Sequence, residues 1–284
     1  MGDEPEIQVA ERAGVGIDGQ DRPTEDRVVV LPNAVVLLDG ATALRPGART
    51  GGWYADQLST ALAGGLSKTP TGDLTVVLAE AITAVAAEHG LVPGNSPAST
   101  VAIIRWTETT LDALVLADSP VVVFTDSGHE VLADSRLVDL RLPRPSAYRQ
   151  RLRGGAGYGP EHVAALRSSG AEIGKLRNVP GGFWVAEADP AAAAHACTAS
   201  WPLATIRSAM LASDGVSCGV DDYRLFDWPE ALALARQDGP GAVLRAVRAA
   251  ERDDPDGARW PRPKRHDDQA LVLLRFDQPS RPVG

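Results

Sequence analysis

Short apolar runs bounded by turn residues open the chain and close it. Runs at 7–15, 27–31, 34–39 and 270–276 predict β-strands, and the Pro-Asn pair at 32–33 predicts a tight turn between the second and third. Apolar residues recur at helical spacing over 50–66 and over 74–89, where Asp73 is placed to cap the helix. The chain is therefore expected to begin with strands, continue with two helices and end with a strand.

The centre of the chain has a different pattern. Strands are predicted at 99–106, 111–117, 121–125 and 129–133, and their short connections favour antiparallel neighbours. Residues 140–180 are rich in Arg, Gly and Ser, and only 160–169 predicts a helix there. Beyond them we expect a short strand at 182–186, a short helix at 190–197, a strand at 205–212, and helices at 229–236 and 240–252. This order predicts an α+β fold with antiparallel sheets, formed by residues 1–284 as a single domain.

Four of the apolar runs carry an acidic residue at one end. They are 35–40 (VVLLDG), 114–119 (LVLADS), 210–215 (MLASDG) and 267–274 (DDQALVLL). A strand that crosses a core delivers its last side chain to the sheet edge, so the four carboxylates can converge. Converged carboxylates repel each other unless a cation lies between them, and hard oxygen ligands select Mg²⁺ or Mn²⁺. The pattern predicts a metal-dependent hydrolase.

Composition limits which partners the protein is expected to bind and in which compartment it is expected to lie. The chain has 284 residues, of which 44% are hydrophobic, and its net charge of −9 argues against nucleic acid as a partner. Cys197 and Cys218 have neither zinc-ligand nor disulfide-framework spacing, which fits a reducing compartment. The acidic first residues do not form a signal peptide, and we find no apolar run of about 18 residues that would span a membrane. We therefore expect a cytoplasmic protein without membrane association.

The ordered motifs resemble those of the PP2C-type (PPM) family of metal-dependent Ser/Thr protein phosphatases. The matching segments are the Glu25-Asp26 pair, Asp39-Gly40, 98–101 (ASTV), 117–119 (ADS), 213–215 (SDG) and the Asp267-Asp268 pair. The resemblance covers nearly the whole chain. It implies a four-layer α-β-β-α sandwich, in which two antiparallel sheets are flanked by helix pairs, with a dinuclear Mn²⁺ or Mg²⁺ centre at one end.

The resemblance also implies roles for the residues of this centre. Asp39 would bridge both ions, and Gly40 would offer its carbonyl oxygen. Asp214 and Asp267 would complete the shell of one ion. Asp39, Asp214 and Asp267 would be catalytic residues through their binding of the metal ions. Glu25 and Asp26 would hold metal-bound waters, with Asp26 as the first contributor.

The last residue of the implied metal set is Asp118, which would hold a third, weaker ion. The same sequence, Asp118 followed by Ser119 and Pro120, also favours a simple turn. Both interpretations remain open from the sequence.

The position of the phosphate-binding arginine departs from the family pattern. The family's phosphate-binding arginine lies four residues before the Glu of the acidic pair, where this chain has Asp21. Arg22, one residue later, is our candidate catalytic arginine, with a surface role as the alternative. Arg45 or Arg49 would take over the contact if the loop is shifted. The family's His general acid after the Asp-Gly pair is replaced by 41–44 (ATAL).

The function that the resemblance implies is hydrolysis of phosphoserine and phosphothreonine on proteins, opposing a bacterial Ser/Thr kinase. Two divalent cations would activate a water for in-line attack, so a side-chain nucleophile is not required. Two alternatives are a phosphatase of a small phosphorylated metabolite and a pseudophosphatase that binds a phosphoprotein. A haloacid-dehalogenase-type phosphatase is excluded, because Ala41 occupies the position of the second Asp which that chemistry needs.

Overall fold

Ten β-strands form two antiparallel sheets in the computed structural model, which describes residues 4–44, 47–141 and 146–276. The strands are β1 (Glu6–Arg12), β2 (Asp26–Leu31), β3 (Ala34–Asp39), β4 (Val101–Trp106), β5 (Thr110–Leu116), β6 (Val121–Thr125), β7 (Gly128–Leu132), β8 (Cys197–Pro202), β9 (Ile206–Ala212) and β10 (Gln269–Arg275). The first sheet has the order β1-β10-β9-β6-β7, and the second has the order β2-β3-β4-β5-β8.

Eight α-helices accompany the two sheets among the described residues. They are α1 (Gly51–Lys68), α2 (Leu74–His89), α3 (Arg136–Arg141), α4 (Ala147–Arg153), α5 (Pro160–Gly174), α6 (Asp214–Asp221), α7 (Trp228–Asp238) and α8 (Pro240–Asp253). The α1–α2 pair packs on the second sheet, and α7 and α8, with α6, pack on the first. The predicted α+β sandwich of four layers is confirmed.

Strand β3 shows why the central strands are apolar on both faces. Val35 and Leu37 pack into the core between the sheets, whereas Val36 and Leu38 pack under α1 and α2. All four side chains are fully buried. A strand covered on both faces loses the alternation of apolar and polar residues that marks a half-exposed one. The next residue on the inter-sheet side of β3 is Asp39, at the end of the strand.

The predicted block of four neighbouring strands was wrong at one connection. Strands β5 and β6 belong to different sheets, and the chain crosses between them through Ala117. This alanine has a φ of 68°, a left-handed conformation that residues other than glycine adopt at a cost. A short connection therefore joins the two sheets here instead of closing a hairpin.

Other differences lie in the second half of the chain. The expected strand at 182–186 forms only isolated bridges, one of them between Ala186 and Ser99. Strand β8, which was not predicted, pairs with β5 at the edge of the second sheet, and its residues alternate between half-buried and exposed. Helices α3, α4 and α6 were also not predicted. In the described ranges, no helix combines the length and apolar character that crossing a bilayer requires.

The predicted cap of α2 is present and generates a test of the local structure. The Asp73 carboxylate accepts hydrogen bonds from the backbone N–H groups of Thr75 and Val76, at 2.7 and 3.4 Å. We expect Asp73→Ala to lower the free energy of unfolding by about 1 kcal/mol, because two N–H groups at the helix start lose their acceptor. Urea denaturation measures the loss. Glu80→Ala, at an exposed position of the same helix, is the control, and equal effects of the two changes would contradict the capping role.

Candidate metal centre

The β2–β3 pair places Asp26 and Asp39 directly opposite each other at the end of the second sheet. Asp26 is fully buried and Asp39 is half-buried. The backbone around Asp39 is fixed by the start of β4: Thr100 Oγ1 accepts from its N–H at 3.0 Å, and the Ser99 hydroxyl donates to its carbonyl at 3.0 Å. Thr100 Oγ1 also lies 2.6 Å from the Ser119 hydroxyl. The motifs at 98–101 and 117–119 therefore orient the end of β3.

Gly40 allows the end of β3 to approach the start of α1 closely. A Cβ atom at Gly40 would lie 2.4 Å from the carbonyl carbon of Gly51 and 2.5 Å from the backbone nitrogen of Gly52. The Gly40 N–H donates to the carbonyl oxygen of Glu25 at 3.2 Å. A side chain at Gly40 would therefore push the helix away from the acidic pair at 25–26.

Asp214 is the first residue of α6, immediately after β9 ends. The following turn packs directly on the acidic pair before β10, since a Cβ at Gly215 would lie 1.9 Å from the carbonyl oxygen of Asp268. The Asp39 and Asp214 carboxyl groups are hydrogen-bonded to each other. Residues that are far apart in the sequence, at the ends of β3 and β9, therefore meet at one place.

The charges of this cluster act on each other strongly. Burial raises the pKa of Asp39 well above its ordinary value, and the charges of Asp26, Asp267 and Asp118 raise it further. Burial also raises the pKa of Asp214, with further contributions from Asp39, Asp267 and Asp118. The same causes act on Asp26, whose pKa is raised first by burial and then mainly by the charge of Asp268. Without a cation, these carboxyl groups hold protons that separated carboxylates would release.

The donor chemistry of the cluster suits a hard divalent cation. Neither carboxylate oxygen of the fully buried Asp26 has a hydrogen-bond partner. Buried carboxylate oxygens without partners are costly, and a cation would satisfy them. The positions of the described side chains do not yet form such a site. Within 4–44, 47–141 and 146–276, no group of three or more His, Cys, Asp or Glu side chains is arranged so that it could hold a metal ion.

Arg22 lies between two of the acidic residues of this cluster. One terminal nitrogen of its guanidinium pairs with Glu25 Oε2, and the other donates to Asp268 Oδ2 at 2.6 Å. Burial lowers the pKa of Arg22, but the charges of Glu25 and Asp268 outweigh this effect and raise the pKa overall. The sequence-based candidate for the phosphate contact is thus engaged by two carboxylates of the centre.

Lys264 is a second cation among these carboxylates, and it was not predicted from the sequence. Its ammonium contacts Asp267 Oδ1 and lies 3.8 Å from Asp268 Oδ2, with only 4% of the side chain exposed. The available signal was a lysine three residues before the acidic pair, in a loop expected only to be rich in Pro and Arg. Its burial beside the centre required the tertiary structure.

Arg49, His266 and Cys218 carry side chains that could also take part in the chemistry. His266 Nδ1 is 2.9 Å from Glu251 Oε2, so its ring is engaged on α8. Arg49 packs over the Trp53 ring and donates to the carbonyl oxygen of His89. Arg45 lies outside the described residues. Burial raises the pKa of Cys218 well above its ordinary value, which makes it a poor nucleophile.

Three solved structures share this architecture. The Mycobacterium tuberculosis serine/threonine phosphatase PstP/Ppp matches with a TM-score of 0.58 and 16% identity, covering 96% of this chain and 99% of its own. Stp1 from Staphylococcus aureus matches with a TM-score of 0.59 and 14% identity, covering 98% and 97%. The catalytic domain of PstP in complex with two manganese ions matches with a TM-score of 0.56 and 18% identity, covering 95% and 97%.

The chain has the PPM (PP2C-type) phosphatase fold. The resemblance predicted from the motifs is confirmed at the level of the fold. No protein-family model matches the sequence, and no curated protein matches it either. Within this fold, Asp26 and Asp39 face each other at the end of the second sheet, and Asp118, Asp214 and Asp267 act electrostatically on Asp39.

The crowded carboxyl groups predict a specific pH dependence of the metal-free protein. Because the pKa values of Asp26, Asp39 and Asp214 are raised in the fold, the folded state binds protons more tightly than the unfolded state. The free energy of unfolding should therefore fall as pH rises above the ordinary carboxyl pKa of about 3.9 and continue to fall through the raised values. Urea denaturation in EDTA, at about pH 5.5 and about pH 8, measures this loss.

The matched variant for that measurement is Asp214→Asn. It removes one charge from the cluster, so at about pH 8 it should be more stable than the wild type in EDTA by more than about 1 kcal/mol. Asp253→Asn, at an exposed position, is the control and should leave the pH dependence unchanged. A wild type and Asp214→Asn with the same pH dependence would refute the electrostatic description of the cluster.

Proposed function

We propose that this protein is a metal-dependent phosphoric monoester hydrolase that acts on phosphoserine and phosphothreonine of proteins. The observation that carries the proposal is the convergence of Asp39, Asp214 and the unpartnered Asp26 carboxylate at the end of the PPM fold. We further propose that residues 1–284 form one phosphatase domain. The fold, which is shared with bacterial Ser/Thr phosphatases, supports the reaction class.

We propose the following roles for the chain's own residues. When bound, divalent cations would lower the pKa of the attacking water and offset the charge on the phosphoryl oxygens. The proposed metal set is Asp26, Asp39, Gly40, Asp118, Asp214 and Asp267, with two Mn²⁺ or Mg²⁺ ions and a third, weaker ion at Asp118. Asp39 is positioned centrally in this set, because it faces Asp26 and is hydrogen-bonded to Asp214.

The substrate would approach from the side of the loop at 16–25. A pocket of about 230 Å³ opens there, lined by residues that include Asp21, Arg22, Thr42 and Thr50. Arg22 remains our candidate for the phosphate contact, for which its guanidinium would exchange a carboxylate for a phosphoryl oxygen. In the overall reaction, water adds to phosphorus, the ester P–O bond breaks, and the Ser or Thr hydroxyl and inorganic phosphate are released.

A pseudophosphatase is the second candidate, and one observation favours it. Arg22 and Lys264 already pair with carboxylates of the centre, so part of the negative charge is compensated without any metal. A protein of this kind would bind a phosphoprotein without turnover. The phosphorylated partner in either case would be a substrate of a bacterial Ser/Thr kinase.

The activity test uses p-nitrophenyl phosphate and then a phosphothreonine peptide, each with Mn²⁺. We expect hydrolysis that EDTA abolishes and that Asp214→Ala lowers by at least about 100-fold, since this change removes a proposed metal ligand. Glu80→Ala is the surface control. Metal binding seen by calorimetry without turnover would favour the pseudophosphatase, and hydrolysis of a sugar phosphate but not of the peptide would favour a metabolite phosphatase.

The relative importance of Asp39 and Asp118 for activity gives an independent test. Asp39→Asn should lower kcat/KM by at least about 100-fold, whereas Asp118→Asn should cost less than about tenfold. The reason is that Asp39 is in direct contact with Asp214, whereas Asp118 is proposed to hold only the weaker third ion. Steady-state kinetics in saturating Mn²⁺ measures both, and losses of equal size would contradict the proposed roles.

A further inference from the structure

A buried ammonium group stands inside the proposed metal centre. The Lys264 side chain is 4% exposed, and its Nζ contacts Asp267 Oδ1. The same nitrogen lies 3.8 Å from Asp268 Oδ2. The pKa of Lys264 is raised above its ordinary value, because the charges of Asp267 and Asp268 outweigh the effect of burial. The group is therefore a cation at neutral pH.

The loop that carries this lysine is held in place on both sides. Arg262 is buried, pairs with the Asp254 carboxylate at 2.9 Å, and donates to four backbone carbonyl oxygens of the surrounding loop and α8. His162 of α5 lies with Nε2 2.8 Å from the carbonyl oxygen of Pro263, the residue before Lys264. The ammonium is thus presented to the centre by a fixed segment of backbone.

The carboxylates of the centre divide into two groups. Asp268 is fully engaged by protein donors, since it accepts from the Gly14 N–H at 2.8 Å and from Arg22 at 2.6 Å. Asp267 Oδ1 accepts from the Asp268 N–H at 2.9 Å in addition to its contact with Lys264. Asp26, in contrast, has no partner for either oxygen. The cations of the protein itself therefore pair with Glu25, Asp267 and Asp268, and neither of them pairs with Asp26.

We propose that Lys264 is a tethered cation that competes with one divalent metal ion for Asp267. A metal ion can bind Asp267 Oδ1 only after the ammonium has left that oxygen, and at Oδ2 it would lie beside the positive charge of Lys264. The wild type therefore takes up an ion at this position more weakly than a protein without the lysine charge. An ion bound at Asp26 and Asp39 is taken up without this competition. The inference rests on the proposed metal-dependent function and specifies how the metal affinity is set.

The test is calorimetric titration of the metal-stripped, full-length protein with Mn²⁺. Lys264→Met removes the charge and keeps much of the apolar side chain. We expect it to bind Mn²⁺ at one position roughly 10- to 100-fold more tightly than the wild type, the range in which groups around metal ligands alter affinity. Lys175→Met is the matched control, because Lys175 pairs with Glu172 on the exposed surface, and its titration should match that of the wild type.

Thermal unfolding supplies a second readout that is independent of activity. Without metal, Lys264→Met should be less stable than the wild type, because the half-buried Asp267 carboxylate loses its partner. With Mn²⁺, its Tm should rise by more than that of the wild type, since tighter binding to the folded state stabilises it further. If Lys264→Met does not fold without metal, refolding in Mn²⁺ should rescue it, and failure of that rescue would overturn the proposal.

The outcomes separate this inference from the proposed function. A wild type that binds Mn²⁺ and hydrolyses p-nitrophenyl phosphate, alongside a Lys264→Met variant with equal or weaker Mn²⁺ affinity, would refute the competition alone and leave the phosphatase function standing. If neither protein binds Mn²⁺, the metal-dependent function and the inference are both wrong. Lys264→Gln, a second uncharged variant, should reproduce the tighter binding, and a result opposite to that of Lys264→Met would also refute the role of charge.

Discussion

Mutual repulsion among buried and half-buried carboxylates is the constraint on which the chemistry of this protein depends. Asp26 and Asp39 face each other across β2 and β3, and Asp214 joins them from the end of β9. Buried charges of one sign are tolerated only if protons, protein cations or metal ions compensate them. The structure uses the first two: the pKa values of these carboxyl groups are raised, and Arg22 and Lys264 pair with the neighbouring acids. Divalent ions would be the third.

The sandwich brings these groups together because it makes two sheets end at the same place. Apolar side chains on both faces of β3 fix it between the inter-sheet core and the α1–α2 layer, which leaves Asp39 no freedom to turn elsewhere. Gly40 and Gly215 then permit backbone approaches that a side chain would block. Stability of the scaffold and the position of the acids are consequently set by the same packing.

Two features distinguish the centre from a simple cluster of metal ligands. The guanidinium of Arg22 bridges Glu25 and Asp268, and the ammonium of Lys264 lies on Asp267. Both cations are tethered to loops that other contacts hold, at 16–25 and at 254–265. In the proposed metal centre, the affinity for metal would be a balance between ions from solution and charges that the chain carries itself, and this balance would differ between Asp26 and Asp267.

The sequence by itself determined most of the scaffold. Apolar runs predicted β2, β3, β6 and β10 almost to the residue, and Asp73 correctly marked the start of α2. These features depend on local patterns, which a sequence displays directly. The order of the acidic motifs also indicated the PPM fold, which the solved structures confirm.

Only the tertiary structure decided how the elements are paired and which charges meet. The sheet to which β6 belongs depends on a crossing at Ala117, and the edge strand β8 has a pattern too weak to be recognised alone. Lys264 and Arg22 resemble surface residues in the sequence, because the sequence does not show that their side chains are buried. Arg22, for example, pairs with Asp268, which is more than 200 residues away along the chain. Local sequence specifies an element and its faces, whereas the electrostatic environment of a side chain is a property of the packed fold.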